Sequence, residues 1–236
     1  MKNQKTEVDL VFERYSKRNV GNRYNILNAD VWKSTYERNQ SILKILARYC
    51  DTNLAQKTLL EVGCGNGRNL LDCLRFGFTP SLLTGIELLP EQVNIAKNIL
   101  PSSVNIYKGD ALSIQIPINS QDIVFQSVVF SSLLDNNFQS ALAIKMWQWL
   151  KPGGGILWYD FIFNNPSNPD VRGVPLKRVR ELFPDGKLIV KRVTLAPPIS
   201  RRVCKIHPNL YHLFNMIPWL RTHVLIWIEK PKVSVP

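Results

Sequence analysis

The densest set of residues able to do chemistry is Leu59–Leu60–Glu61–Val62–Gly63–Cys64–Gly65–Asn66–Gly67, an apolar run entering closely spaced glycines. Glycine suits a turn that needs unusual dihedrals and a backbone that a ligand approaches closely. A helix beginning just beyond it would offer free N–H groups. By itself the turn is a weak signal, because an ordinary strand–helix connection reads the same way. Spacing sharpens it. A dinucleotide fingerprint GxGxxG starting at Gly63 needs glycine at position 68, where Arg68 stands, so a pyrophosphate-binding version fits poorly. Twenty residues past Gly67 comes Glu87, at the end of the next apolar run, where a carboxylate can accept from both hydroxyls of a ribose. Past a third run lies Gly109–Asp110–Ala111, where a carboxylate can read an adenine amino group. Two acids, each at the carboxyl end of a predicted strand, are hard to explain as packing.

Acid–base candidates lie downstream. Asp160, in Leu157–Trp158–Tyr159–Asp160–Phe161, is expected near the end of a fifth strand and facing a substrate cleft. It is the first candidate base, with Tyr159 as a substrate contact, against a competing role as a structural cap or ion-pair partner. His207, His212 and His223 are the other candidates, although a lone histidine is more often structural. Asp135, Asn136 and Asp160 offer oxygen ligands without recognisable spacing, so no metal is expected.

The elements that must position these residues alternate along the chain. Asp30–Tyr49 reads as a helix, with Ile42, Leu43, Ile45 and Leu46 near helical spacing, and Asp51–Gln56 breaks it. Thr58–Val62, Ser81–Glu87, Val104–Tyr107, Asp122–Gln126 and Gly155–Phe163 read as strands. Helices are expected after the glycine turn to about Phe76, over Glu91–Leu100, over Phe138–Leu150 and over Pro175–Phe183. Lys151–Pro152–Gly153–Gly154 is a stop signal. Lys187–Leu195 and Thr222–Glu229 are the last two strands, separated by an insertion at about 196–220. Alternating strands and helices indicate an α/β fold with a largely parallel sheet covered on both faces. Residues 1–56 read as an N-terminal helical cap and 57–236 as one domain carrying the insertion on its substrate side.

At this point four stretches resemble a known family. Glu61–Val62–Gly63–Cys64–Gly65–Asn66–Gly67, Glu87, Gly109–Asp110–Ala111 and Leu150–Lys151–Pro152–Gly153–Gly154 are similar to the successive motifs of class I S-adenosylmethionine-dependent methyltransferases, in the small-molecule group that includes ubiquinone/menaquinone methyltransferases. The resemblance covers about residues 57–163. It implies a Rossmann-like seven-stranded, mostly parallel sheet with an antiparallel last strand. It also implies S-adenosyl-L-methionine as cofactor and S-adenosyl-L-homocysteine as product. By that likeness Gly63 and Gly65 pass the methionine part of the cofactor, and Glu61 supports the turn and the amino group. Glu87 holds the ribose, with Leu88 against the adenine, and Asp110 with Ala111 reads the adenine edge. Gln126 and Ser127 line the methionine end. In many relatives an N-terminal helix closes over the cofactor, which makes Tyr15 or Arg18 a candidate for its carboxylate. Quinone-like relatives often carry Glu–His after the fourth strand; this chain has Phe130–Ser131–Ser132–Leu133–Leu134, so no base can be assigned there.

Composition narrows the partner. The 236 residues carry a net charge of +12, of which residues 171–236 hold +10 while 57–170 are at −2. The excess therefore attracts an anion other than the cofactor: a phosphorylated substrate, nucleic acid or an acidic membrane surface. A small, anionic or polyhydroxylated acceptor is expected, methylated at an oxygen of a sugar or glycoconjugate precursor. RNA methylation and a non-catalytic cofactor-binding partner or regulator are the alternatives. Ile206–Leu220, flanked by Arg201, Arg202, Lys205 and Arg221, contacts an anionic membrane peripherally, closes on a lipid-linked substrate or, more simply, covers the sheet edge. No apolar run approaches the roughly 20 residues that span a bilayer. Met1–Asp9 has no signal-peptide core, and Cys50, Cys64, Cys73 and Cys204 lack CxxC spacing, so a reduced, cytoplasmic protein is expected.

Overall fold

The computed structural model describes residues 5–18, 21–50, 53–166 and 168–232. Met1–Gln4 of the polar start, Asp51 and Thr52 of the helix break and Ser167 of the loop after the fifth strand lie outside the described residues. Seven strands form, close to where the apolar runs place them: β1 Leu59–Val62, β2 Leu83–Glu87, β3 Asn105–Lys108, β4 Gln121–Ser127, β5 Leu150–Phe161, β6 Lys187–Leu195 and β7 Arg221–Glu229. They make one sheet in the order β3-β2-β1-β4-β5-β7-β6. Neighbours from β3 through β5 are parallel, and β7 runs antiparallel to both β5 and β6. This is the Rossmann-like sheet with an antiparallel last strand.

One strand differs from its expected extent. β5 starts at Leu150, which pairs with Gln121, and the ladder resumes with Gly155 opposite Ile123. Lys151–Gly154 is the extra length taken up between those rungs, with Gly153 at φ 79°. The Pro–Gly–Gly stretch thus irregularises the strand rather than preceding it.

Side-chain alternation sorts the sheet residues into two cores. Leu59, Ile123, Phe125, Leu157, Tyr159, Leu225 and Trp227 belong to one face; Leu60, Val124, Ile156, Trp158, Val224 and Ile226 belong to the other. The first face is covered by α2 (Ala29–Tyr49), through Ile42, Ile45 and Leu46, and by α3 (Arg68–Arg75), through Leu70 and Cys73, with Ala96 of α4 (Pro90–Ile99) beside them. The second face takes Leu142, Ala143, Met146 and Trp149 of α5 (Asn136–Trp149) and Val179 and Leu182 of α6 (Leu176–Leu182).

The N-terminal α1 (Glu7–Ser16) rests on the turn after β4: Glu7 Oε1 accepts from Leu134 N at 2.7 Å, and Arg14 donates to Ser132 O at 2.9 Å. The insertion forms α7 (Pro197–Ile206) and α8 (Leu210–Asn215), packed around Leu195, Val203, Cys204 and Tyr211.

Packing across the sheet leaves no room at Gly155. A Cβ built there would sit 2.0 Å from Trp227 Cζ2, and Trp227 is almost fully buried. Gly155→Ala is therefore expected to lower unfolding stability by about 3 kcal/mol through overpacking. Urea unfolding measures it: the midpoint falls with little change in slope.

Candidate functional site

The glycine turn is built as its residue types require. Gly63 and Gly65 hold φ values of 64° and 53°. A Cβ at Gly63 would lie 2.6 Å from Val129 Cγ2, whereas nothing lies within 4 Å of the position a Cβ would take at Gly65. The first glycine lets the turn close against the loop after β4; the second leaves open backbone where a ligand can approach. Glu87, at the last position of β2, ties this turn to the next: its Oε2 accepts from Gly65 N and its Oε1 from Leu89 N, both at 2.8 Å. Each carboxylate oxygen keeps a further lone pair for a hydroxyl.

Glu61 sits beneath the turn with no solvent exposure. Its Oε1 accepts from Asn69 Nδ2 at 2.6 Å, and its Oε2 is buried without a partner. Burial pushes its carboxyl up to about 8, against the lowering effects of the Asn69 hydrogen bond and the nearby Arg38 charge. A buried carboxyl with one idle oxygen is a receptor for a cationic group.

Alternation decides which downstream candidates can join this site. Glu61 follows Leu59 by two residues, so it lies on the face covered by α2. Ser127 and Tyr159 are register partners on adjacent strands. His223 pairs with Phe161 across β5 and β7 and stacks on the Tyr159 ring, with centroids 5.1 Å apart and planes 7° apart. The Arg38 guanidinium stands 5.6 Å over the same ring. Burial, helped by the Arg38 charge, brings the His223 imidazole down to about 4, so it is neutral at pH 7. Its Nδ1 lies 3.2 Å from Thr222 Oγ1.

Behind the stack runs a polar chain that sequence reasoning missed. The Tyr159 hydroxyl is 3.1 Å from Thr194 Oγ1; Thr194 N donates to Glu37 Oε1 at 3.0 Å; and the Tyr211 hydroxyl donates to Glu37 Oε2 at 2.7 Å. Thr194 holds φ 57°, a costly conformation for a β-branched residue. It persists because Glu37 and Tyr159 anchor it from both sides. Arg38 was legible in principle, since it stands one turn before Ile42 on the apolar stripe of α2.

Asp160 does not face a cleft. It falls on the opposite face, with Trp158, and is 0 % exposed. Its Oδ2 accepts from Ser131 N at 3.1 Å and its Oδ1 from Phe161 N at 2.9 Å, so it fastens the short helical turn Phe130–Ser132 to β5. Burial raises its carboxyl to about 7. Alternation made the difference: one position along β5 separates the residue beside the site from the one behind the sheet. Gln126 shares that hidden face, fully buried, with Oε1 accepting from Val129 N at 3.0 Å and Nε2 directed at Tyr159 O. It shapes the loop after β4 from behind. His207 is exposed between α7 and α8, where its Nδ1 accepts from Asn209 N at 3.2 Å. His212 on α8 lies 2.9 Å from Lys33 Nζ.

The remaining residues are arranged as follows. Asp110 Oδ1 accepts from Leu112 N at 2.9 Å, which places the acid at the head of a turn after β3. Ala111 packs against the second core, and Leu88 and Ser127 are half-buried. The Tyr15 ring carries the Arg18 guanidinium 5.5 Å above it on α1. All four cysteines are buried free thiols.

Known proteins bear on this geometry. The methyltransferase domain family matches residues 60–158, from β1 to β5. An uncharacterized methyltransferase of Bacillus mycoides (strain KBAB4) is 33% identical over 154 residues, spanning 61% of this chain and 70% of that one. Another, from Bacillus cereus (strain 03BB102), aligns to the same extent. Among solved structures, a SAM-dependent methyltransferase from Archaeoglobus fulgidus matches 84% of this chain and 98% of its own, at TM-score 0.59 and 15% identity. Phosphoethanolamine N-methyltransferase 1 of Haemonchus contortus, in complex with phosphoethanolamine and S-adenosylhomocysteine, covers 98% of this chain and 50% of its own at TM-score 0.65 and 15% identity. At that identity the likeness is one of fold. Sheet order, glycine turn and sequence relatives agree: the chain belongs to the class I S-adenosylmethionine-dependent methyltransferases, and S-adenosylmethionine is its cofactor.

Proposed function

We propose that the chain methylates a small acceptor held against the Tyr159–His223 stack, at an oxygen of a polyhydroxylated, sugar-like molecule that carries negative charge. The observation that carries this reading is a neutral imidazole and a guanidinium converging on one aromatic ring, on the same sheet face as Glu61. The residues present fit the cofactor: Glu87 would hold the ribose, the idle Glu61 Oε2 the amino group, and the open backbone at Gly65 the methionine part. Asp110, with Ala111, would read the adenine edge. Residues 1–56 act in this reading as a cap, since Glu37 and Arg38 reach the acceptor side from α2.

The cofactor supplies a methyl group already activated on a sulfonium, so the chain has only to align an acceptor and relieve it of a proton. Arg38 attracts the acceptor's anionic group. In the tautomer whose Nδ1 proton is donated to Thr222 Oγ1, 3.2 Å away, His223 has Nε2 free to accept from a hydroxyl. Tyr159, fixed by Thr194, holds the imidazole plane.

His223→Ala is expected to lower kcat by roughly 100-fold, the low end for a positioned proton acceptor, with cofactor affinity unchanged. An ordinary histidine would be half-protonated near 6.5, whereas His223 stays neutral down to about 4. The ratio of wild-type to His223→Ala rates should therefore be constant from pH 8 down to pH 6. A ratio that collapses near pH 6.5 contradicts the assignment.

The acceptor class is tested with labelled cofactor and a panel of sugar phosphates and nucleotide sugars. Label should enter a small molecule and be lost in Arg38→Gln. Label entering RNA instead would overturn this reading.

A further inference from the structure

The C-terminal insertion has two sides. Val203, Cys204 and Tyr211 turn inward, with Leu210, Phe214 and Leu220 packed behind them. Ile206, Leu213, Met216 and Trp219 turn outward and are 78%, 60%, 74% and 83% exposed. Leu213 and Met216 sit three residues apart, and Met216 N still donates to His212 O, so they share the outer side of the α8 turn. With Ile217, 43% exposed, five large apolar side chains within 14 residues are more than single scattered exposures.

Charge says what would cover them. On α7, Arg202 and Lys205 are exposed beside Ile206, opposite the buried Ser200, Val203 and Cys204. Between Asp185 and Glu229 the chain has no acidic residue and seven basic ones: Lys187, Lys191, Arg192, Arg201, Arg202, Lys205 and Arg221. Lys33, buried on α2, lies 2.9 Å from His212 beneath the cap. A second copy of this chain seated on the same face would set like charges against each other. A mainly basic rim around an apolar tip, with Asp30 of α2 the acid beside Cys204 and a tryptophan at its most exposed point, matches the boundary between anionic headgroups and acyl chains.

We infer that the α7–α8 cap is a docking surface for an anionic lipid bilayer, with Leu213, Met216 and Trp219 entering the headgroup boundary and Arg202 and Lys205 lying on the phosphates. Among the described residues no helix is long and apolar enough to cross a membrane, so the contact is peripheral. The cap is continuous with the acceptor side, since the Tyr211 hydroxyl reaches Glu37, which holds Thr194. Docking thus brings a membrane surface near the Tyr159–His223 stack. It does not depend on methyl transfer, and a failure of the acceptor assignment would leave it untouched.

The test is sedimentation of the full chain with vesicles of phosphatidylcholine alone and of equal parts phosphatidylcholine and phosphatidylglycerol. Binding should appear with the anionic vesicles only and weaken with salt. At roughly fivefold per basic residue, Arg202→Gln with Lys205→Gln should weaken it about 25-fold. Trp219→Ser with Met216→Ser should abolish it, while circular dichroism and cofactor binding stay as in the wild type. Equal binding to both vesicles, or binding to neither, would overturn the proposal. So would concentration-dependent self-association that Trp219→Ser removes, which would give the face to a second copy, or RNA retention on this face that the paired Arg202 and Lys205 variant loses.

Discussion

Replacing Glu87 with alanine should weaken S-adenosylmethionine binding by about 100-fold or more and leave the fold intact. The side chain is the last of β2, and both of its oxygens are already aimed by Gly65 N and Leu89 N at 2.8 Å. In the proposed site that arrangement would make the carboxylate a fixed acceptor for two ribose hydroxyls. Hydrogen bonds to a charged group contribute roughly 1.5–3 kcal/mol each, so losing two costs at least about 3 kcal/mol, or a hundredfold. Alanine also frees the glycine turn from its tie to β2. Calorimetric titration measures the affinity, and thermal melting separates it from unfolding. Unchanged affinity would remove Glu87 from the site.

The second large effect is on pH. In the free protein Glu61 is protonated through the neutral range, because burial holds its carboxyl near 8. An ammonium group placed at the idle Oε2 favours the ionised form, so binding expels a proton. Cofactor affinity should therefore rise with pH, by up to about tenfold per unit from roughly pH 6 toward 8. In the free protein the sign for stability is opposite. The unfolded carboxyl ionises first, near 4.5, so stability falls as pH climbs from there toward 8. Glu61→Gln should bind the cofactor more weakly and show neither trend from this position. Titrations in buffers of different ionisation enthalpy count the proton directly; a wild type that releases none contradicts the role.

Much of this was legible in the sequence because the parallel strands are buried on both faces. Apolar runs such as Leu59–Val62 and Leu83–Glu87 end where the chain leaves the sheet, so Glu61, the glycines and Glu87 could be placed at one edge from spacing alone. What was not legible is the side on which each strand residue points. Tyr159 and Asp160 are neighbours in sequence, and only the packing of the two sheet faces shows that Tyr159 shares the Glu61 face while Asp160 lies on the other. The partners from α2 were hidden for a different reason. The apolar stripe of α2 marks Arg38 as inward-facing, but its contact with Tyr159 and that of Glu37 with Thr194 cross more than a hundred residues and are set by tertiary packing alone. The insertion was legible as apolar and basic, but which of its side chains turn inward depends on Leu195 and Tyr211 packing beneath it.

A crystal structure with S-adenosylhomocysteine bound is the most direct test of the site. The ribose should lie on Glu87, the amino group on Glu61 Oε2, and the sulfur should open toward Tyr159, His223 and Arg38. A concavity of about 510 Å³ lies between α5 and the loop after β5, lined by Asn136, Phe163, Arg172 and Arg178. A sulfur opening into that cavity, with the Tyr159–His223 stack shielded from it, would contradict the assignment of the acceptor side.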